Sequence, residues 1–196
     1  MSRLSRGFGI AALVLGIGAC NAMAQQATSA PTPGKTDAVA LQEFRQRVEQ
    51  YVALHEQLAK KSPPPQESKD PAKFKAAQQV FAETMQVARK NAKPGDIFTP
   101  AVQATFKRMI RPELKGSEGR ETKAIIKEDA PAAGSVTLKV NAHYPETQPL
   151  STVPPNLLAR LPQLPEQLEY RIVGTHLILR DTMANLIVDY MPNAIY

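Results

Sequence analysis

The chain has 196 residues, with 24 lysines and arginines against 18 aspartates and glutamates, and its formal charge is +6 at pH 7. It contains no tryptophan and a single cysteine, which excludes an internal disulfide. A surface that stacks nucleic-acid bases needs aromatic residues interleaved with cationic ones, and no such stretch is visible, so we expect no nucleic-acid partner.

The first 24 residues have the pattern of a bacterial export signal. Two arginines precede an apolar run that is shorter than the roughly 20 residues a helix needs to span a bilayer. A small-x-small motif that ends at Ala24 fits the site of the ordinary signal peptidase. A second motif, which ends at Cys20, resembles a lipobox, and lipidation of Cys20 would hold the protein at a membrane. We therefore predict a periplasmic or secreted protein, with a membrane-anchored lipoprotein as the alternative.

Residues 25–36 are rich in alanine, threonine, serine, proline and glycine and contain no large apolar side chain. This composition cannot bury a core, so the sequence predicts a disordered tether. Removal of residues 1–24 would take away two arginines and no acidic residue, and the formal charge would fall from +6 to +4.

Residues 37–115 have the periodicity of amphipathic helices. Asp70-Pro71 and Thr99-Pro100 each place a capping side chain before a proline, which predicts the starts of the second and third helices. The short connection between the first two helices favours an antiparallel hairpin. The first apolar stripe consists of Leu41, Phe44, Val48, Tyr51, His55 and Leu58. The second consists of Phe74, Ala77, Phe81, Met85, Ala88 and Ala92.

Residues 116–134 are predicted to form a linker or a short helix, and residues 135–196 a small antiparallel β region in which the apolar period changes to two. Alternation over Val136–Val140 predicts a half-buried strand. Three further apolar runs, separated by short breaks between residues 170 and 190, predict a β-meander. The expected fold class is α+β, with an N-terminal helical hairpin and a third helix followed by the meander.

The C-terminal segment has an aromatic-arginine pair at Tyr170-Arg171, a Val173-Gly174 turn, an aliphatic strand and a closing Ile187-Val188-Asp189. This pattern resembles the C-terminal β-hairpin of the RcnB-type periplasmic family of nickel and cobalt homeostasis. With its Gly95–Phe98 turn, the whole mature chain is also similar to uncharacterised small secreted bacterial proteins. The resemblance implies an exported location and a C-terminal β module, and it supplies no established active site.

The chain has none of the common catalytic motifs: no Gly-x-Ser-x-Gly elbow, no His-Glu-x-x-His and no glycine-rich phosphate loop. Its three histidines and the absence of cysteine after the predicted signal leave few nucleophile–base pairs. Two pairs of carboxylates, Glu166 with Glu169 and Asp181 with Asp189, could meet in space, but acid–base catalysis also needs a cleft around them. We therefore predict that the protein is not an enzyme and needs no cofactor.

The candidate metal ligands are His143, Glu146 and His176. His143 and Glu146 are three residues apart, but two or three loosely placed ligands make only a weak site. His55 lies on the first apolar stripe, where we expect a core histidine. A periplasmic metal-handling protein is the alternative function.

The leading hypothesis is an exported, non-catalytic binding or scaffolding protein of the bacterial periplasm or envelope. The first stripe nearly matches a coiled-coil seam, which favours an envelope protein as partner or self-association through this helical face. The other interpretation is that the helices pack only on each other. A membrane is an expected partner only if Cys20 is lipidated.

Overall fold

A computed structural model describes residues 34–64, 70–132 and 134–195, which belong to one compact unit. The predicted signal with Cys20, and residues 25–33 of the predicted tether, lie outside the described residues.

The predicted α+β class is confirmed, with the helices preceding a three-stranded antiparallel meander of order β1-β2-β3. A single 3-10 turn, Arg111–Leu114, joins the third helix to the fourth. The helices are α1 (Lys35–Ala59), α2 (Pro71–Ala88), α3 (Pro100–Ile110), α4 (Gly116–Glu128) and the one-turn α5 (Pro155–Leu158); the strands are β1 (Leu168–Val173), β2 (His176–Asp181) and β3 (Leu186–Met191).

The two predicted helix starts are confirmed in detail. The carboxylate of Asp70 accepts hydrogen bonds from the backbone N–H groups of Ala72 (3.0 Å) and Lys73 (3.4 Å). The hydroxyl of Thr99 accepts one from Val102 N–H (3.4 Å). Each cap satisfies amides that have no partner inside the first helical turn.

The apolar stripe of α1 is buried in the chain's own core. The Phe44 ring lies 4.9 Å from Phe106 of α3, 5.8 Å from Phe98 and 6.5 Å from Tyr170 of β1, measured between centroids. These contacts join helices and sheet in one hydrophobic core. The stripe is therefore not an exposed surface in this structure.

Two details of the helical prediction are wrong. Lys35 and Thr36, assigned to the tether, form the first turn of α1, because Ala38 N–H already bonds to the Gly34 carbonyl (2.9 Å). The stripe of α2 is buried only at its centre. Phe74 is 38% exposed and Ala88 is also exposed, because α2 meets the core mainly through Phe81, Ala82 and Met85.

The predicted strand at Val136–Val140 is also wrong. Asn141 takes a left-handed conformation (φ 66°), so the chain turns where a strand would continue. Pairing with the sheet begins only after this segment, through the backbone hydrogen bonds of Asn141 and Ala142 with Ile187 and the isolated bridge of His143 with Leu186. The alternation has another origin: Val136 and Leu138 pack over the face of the sheet that is turned away from the helices.

Short turns connect the strands of the meander. Gly174 adopts φ 59° in the two-residue turn between Val173 and His176, a conformation that favours glycine.

Within the described ranges, no helix is long and apolar enough to cross a membrane.

Candidate functional site

A groove of about 740 Å³ lies along β1, which is an edge strand of the sheet. One wall is β1 from Leu168 to Arg171, and the other is the segment that leads into and out of α5. Most of the lining is apolar, with a few polar groups near Arg171. The second wall consists of Thr152, Val153, Pro155, Leu158, Ala159, Leu161, Pro162, Gln163 and Leu164.

We call residues 151–165 the arch, because both of its ends are tied to β1. Ile172 N–H donates to the Ser151 carbonyl (3.5 Å) at one end, and Leu168 N–H donates to the Pro165 carbonyl (3.0 Å) at the other. Between these ties the Tyr170 hydroxyl donates to a carbonyl within the arch (3.2 Å). Burial raises the pKa of Tyr170 well above its ordinary value, so this phenol remains a donor at neutral pH.

The arch divides its leucines between core and groove. Leu157 is 1% exposed and packs in the core, whereas the adjacent Leu158 is 48% exposed and lines the groove. Its prolines restrict the backbone, so the wall keeps its shape with only the single helical turn of α5.

Between the two ties, the backbone of Tyr170 faces the groove. In an antiparallel pair, alternate residues of a strand bond to the neighbouring strand. The Gln167 carbonyl accepts from Thr182 N–H (3.0 Å), and Ile172 N–H points outward to the arch. The odd-numbered residues of β1 therefore bond to β2, and the N–H and C=O of Tyr170 point away from it. Neither group has a hydrogen-bond partner in the part of the chain that the structure describes.

An ion-pair cluster lies at the polar end of the groove. Arg171 Nη2 donates to Glu169 Oε2 (2.5 Å), and Arg180 of β2 donates to the other oxygen of the same carboxylate. Burial favours the neutral acid, but the hydrogen bonds from the two arginines outweigh it and hold the pKa of Glu169 below its usual value. Arg171 Nε is buried and has no partner among the described residues.

A second polar cluster is sealed inside the core. The Tyr51 hydroxyl donates to Asp181 Oδ2 (2.5 Å), and His55 Nε2 lies 3.5 Å from the same oxygen. Asp181 Oδ1 accepts from the backbone N–H groups of Met183 (2.9 Å) and Ala184 (2.7 Å). Burial, and then the neighbouring carboxylate, raise the pKa of Tyr51 well above its ordinary value. The cluster fastens α1 to the end of β2.

Asp189 binds the chain that connects α2 to α3. Its oxygens accept from the backbone N–H groups of Gly95 (2.9 Å), Ile97 (2.8 Å) and Phe98 (2.7 Å). Asp181 and Asp189 are thus both fully buried, but each has its own partners and every carboxylate oxygen accepts a bond from the chain. Asp181 joins β2 to α1, and Asp189 joins β3 to the connection between α2 and α3.

Sequence reasoning did not find these two clusters, because their partners are far apart in the chain. Ile97 and Asp189 are 92 residues apart, and Tyr51 and Asp181 are 130 residues apart. A signal was present: Tyr51 and His55 are polar groups on an apolar stripe, and a buried polar group requires a partner. The expectation that His55 is a core histidine agrees with its 4% exposure.

The structure separates the candidate metal ligands. His143 and His176 lie near opposite ends of β2. His143 pairs with Leu186, which is opposite Asp181, the last residue of β2, whereas His176 is the first residue of that strand. Five residues of strand correspond to about 17 Å. Glu146 forms an ion pair with Lys75 (2.6 Å), and His176 Nδ1 accepts from Asn193 N–H (3.3 Å). Among residues 34–64, 70–132 and 134–195, no three His, Cys, Asp or Glu side chains are grouped so that they could hold a metal ion.

Comparison of the chain with protein-family models, with curated proteins and with solved structures found no match. The resemblance of the tail to RcnB-type proteins therefore stays a prediction.

Proposed function

We propose that the protein is an exported, non-catalytic binding protein of the bacterial periplasm or envelope, and that the groove between β1 and the arch is its binding surface. The groove itself is the observation that carries this proposal. Its volume of about 740 Å³ lies within the range of roughly 300–1,000 Å³ that is typical of ligand sites. Its composition is also typical of such sites, which combine apolar walls with a few polar groups.

The placement of the polar residues supports binding rather than catalysis. The acidic side chains that sequence reasoning considered as an acid–base pair, Asp181 and Asp189, bind backbone amides and a phenol inside the core. The groove instead offers apolar surface and backbone groups. The α1 stripe, which the sequence suggested as a partner surface, is covered by the chain itself.

Export is supported by the pattern of residues 1–24, and the mass of the mature N terminus tests it. A chain that begins at Gln25 would be a released protein, whereas a lipidated Cys20 would place the protein at a membrane. An N terminus that still carries the first 24 residues would contradict export.

Site-specific photocrosslinking tests the binding surface in the exported protein. A photoreactive residue at Leu158, which is 48% exposed in the groove, is expected to give a discrete adduct. The same residue at Val87, which is 73% exposed on α2 and lies outside the groove lining, is the matched control. Equal adducts at the two positions, or none at Leu158, would contradict the proposal.

A further inference from the structure

We infer that the groove binds a short apolar peptide, one residue of which pairs with Tyr170 through both its backbone N–H and its backbone C=O. This inference rests on the proposed function, and it adds the chemical class of the ligand and the way in which it is held.

Within the described residues, Tyr170 has an unpaired backbone N–H and an unpaired backbone C=O. Its residue exposure is only 6%, yet its N–H and C=O point into the groove and have no partner in the described ranges. Backbone groups in such a position require a partner. A donor and an acceptor side by side on a strand edge match the N–H and C=O of one residue of an extended chain.

The geometry of the arch limits the number of ligand residues that can pair with β1. The two ends of the arch bond to the N–H groups of Leu168 and Ile172 at the edge of β1. These residues are four positions apart, so about 13 Å of strand lies between the two bonds. A long added strand would collide with both ties. The ligand therefore pairs at Tyr170 alone and leaves the plane of the sheet on either side.

The walls of the groove are mainly apolar. Side chains of the ligand would contact Leu158, Leu161 and Leu164 of the arch, which favours apolar residues. At the polar end, Arg171 lines the groove and forms its ion pair with Glu169. The apolar walls and the Tyr170 backbone together specify a peptide rather than a hydrocarbon, because a hydrocarbon would leave the N–H and C=O of Tyr170 unpaired.

The inference is tested by nuclear magnetic resonance titration of the mature protein with two probes. One is N-acetyl-trileucine methylamide, and the other is the same peptide with a methyl group on its central nitrogen. The methylated probe keeps the apolar side chains but cannot donate to the Tyr170 carbonyl, so we expect it to bind at least about fivefold more weakly.

Amide exchange supplies a readout inside the chain. With the first probe bound, we expect exchange of the Tyr170 amide to slow at least about tenfold. The amides of Glu169 and Arg171 point towards β2, so their exchange rates are expected to stay the same. Ala159→Trp, which fills the groove, is expected to weaken binding at least about tenfold, and Val87→Trp is the control that leaves it unchanged.

The outcomes separate this inference from the proposed function. If both probes bind equally well and the Tyr170 amide is not protected, the groove is an apolar site without backbone pairing; the inference is then overturned while the proposed function stands. If neither probe shifts groove resonances, the inference is again overturned, and crosslinking at Leu158 decides the proposed function independently.

Discussion

The two edge strands of the sheet differ in how completely the rest of the chain covers them. At β3 the edge is covered: Ile187 exchanges backbone hydrogen bonds with Asn141 and Ala142 (2.8 Å each), and Arg89 Nη2 donates to the Val188 carbonyl (2.9 Å). At β1 the backbone of the arch bonds to the backbone of the strand only at the two ends of the arch, and the backbone of Tyr170 between them faces a groove. Exposed strand edges promote unwanted pairing, and proteins usually cover them. An edge that is left open in one short stretch is therefore a good place for a binding site.

The covered edge also joins distant parts of the chain. Asp189 holds the turn at Gly95–Phe98, and Arg89 brings the end of α2 to β3 while its guanidinium carbon lies 5.0 Å from the centre of the Tyr51 ring. Because of this difference, we expect substitutions at the β3 edge to lower the free energy of unfolding and substitutions in the groove to weaken ligand binding.

The largest effect is expected for Asp189→Ala at the covered edge. The variant leaves four backbone amides without their acceptor, of which those of Ile97 and Phe98 are buried. Each buried loss costs about 1–3 kcal/mol. We expect the free energy of unfolding in urea to fall by at least about 3 kcal/mol. Asp129→Ala, at an exposed carboxylate, is the control. A loss below about 1 kcal/mol would show that the amides find other partners.

A smaller effect is expected for Arg89→Met. This change removes the hydrogen bond to the Val188 carbonyl and the contact with the Tyr51 ring but keeps an apolar side chain. The expected loss is about 1–3 kcal/mol in the same urea measurement. Lys90→Met, at the exposed neighbouring position, should change little. Equal stability of the two variants would contradict a structural role for Arg89.

The ion pairs of Glu169 predict an acid-dependent loss of stability on the β1 side. Because the folded pKa of Glu169 is lower than the unfolded one, its contribution is fully present above the unfolded pKa of about 4.3 and is lost as the pH falls through the folded value. Urea unfolding between pH 6 and pH 3 should therefore depend less on pH in Glu169→Gln. Glu146→Gln removes a more exposed ion pair and is the control; identical pH profiles for the two variants would refute the role of Glu169.

The smallest effect on stability is expected in the groove itself. Leu158→Lys should change the free energy of unfolding by no more than about 0.5 kcal/mol, because the side chain is half exposed. Leu157→Ala, one residue earlier in the arch, should cost about 2–5 kcal/mol because Leu157 is buried in the core. Similar losses for the two variants would mean that the groove wall is part of the core and is not a free surface.

How far the sequence predicts the structure depends on the range of the interactions. The caps at Asp70 and Thr99 and the turn at Gly174 were predictable, because each involves residues within a few positions of one another. The strand at Val136–Val140 was not, since alternation indicates which side chains are buried but not whether a neighbouring strand accepts the backbone. For the candidate site, the sequence alone does not distinguish the adjacent residues Leu157 and Leu158, and only the fold places Leu157 in the core and Leu158 in the groove.

The sequence by itself determined the class of the fold, because helix and strand periodicities and their proline and glycine boundaries are local properties of the chain. It also carried the pattern that predicts export. Only the tertiary structure decided which polar groups meet in the core, since Tyr51 and Asp181 are 130 residues apart. The tertiary structure also decided where the sheet remains open: that depends on the path of the arch past β1, and the ties at Ser151 and Pro165 exist only after the chain has folded back onto its edge strand.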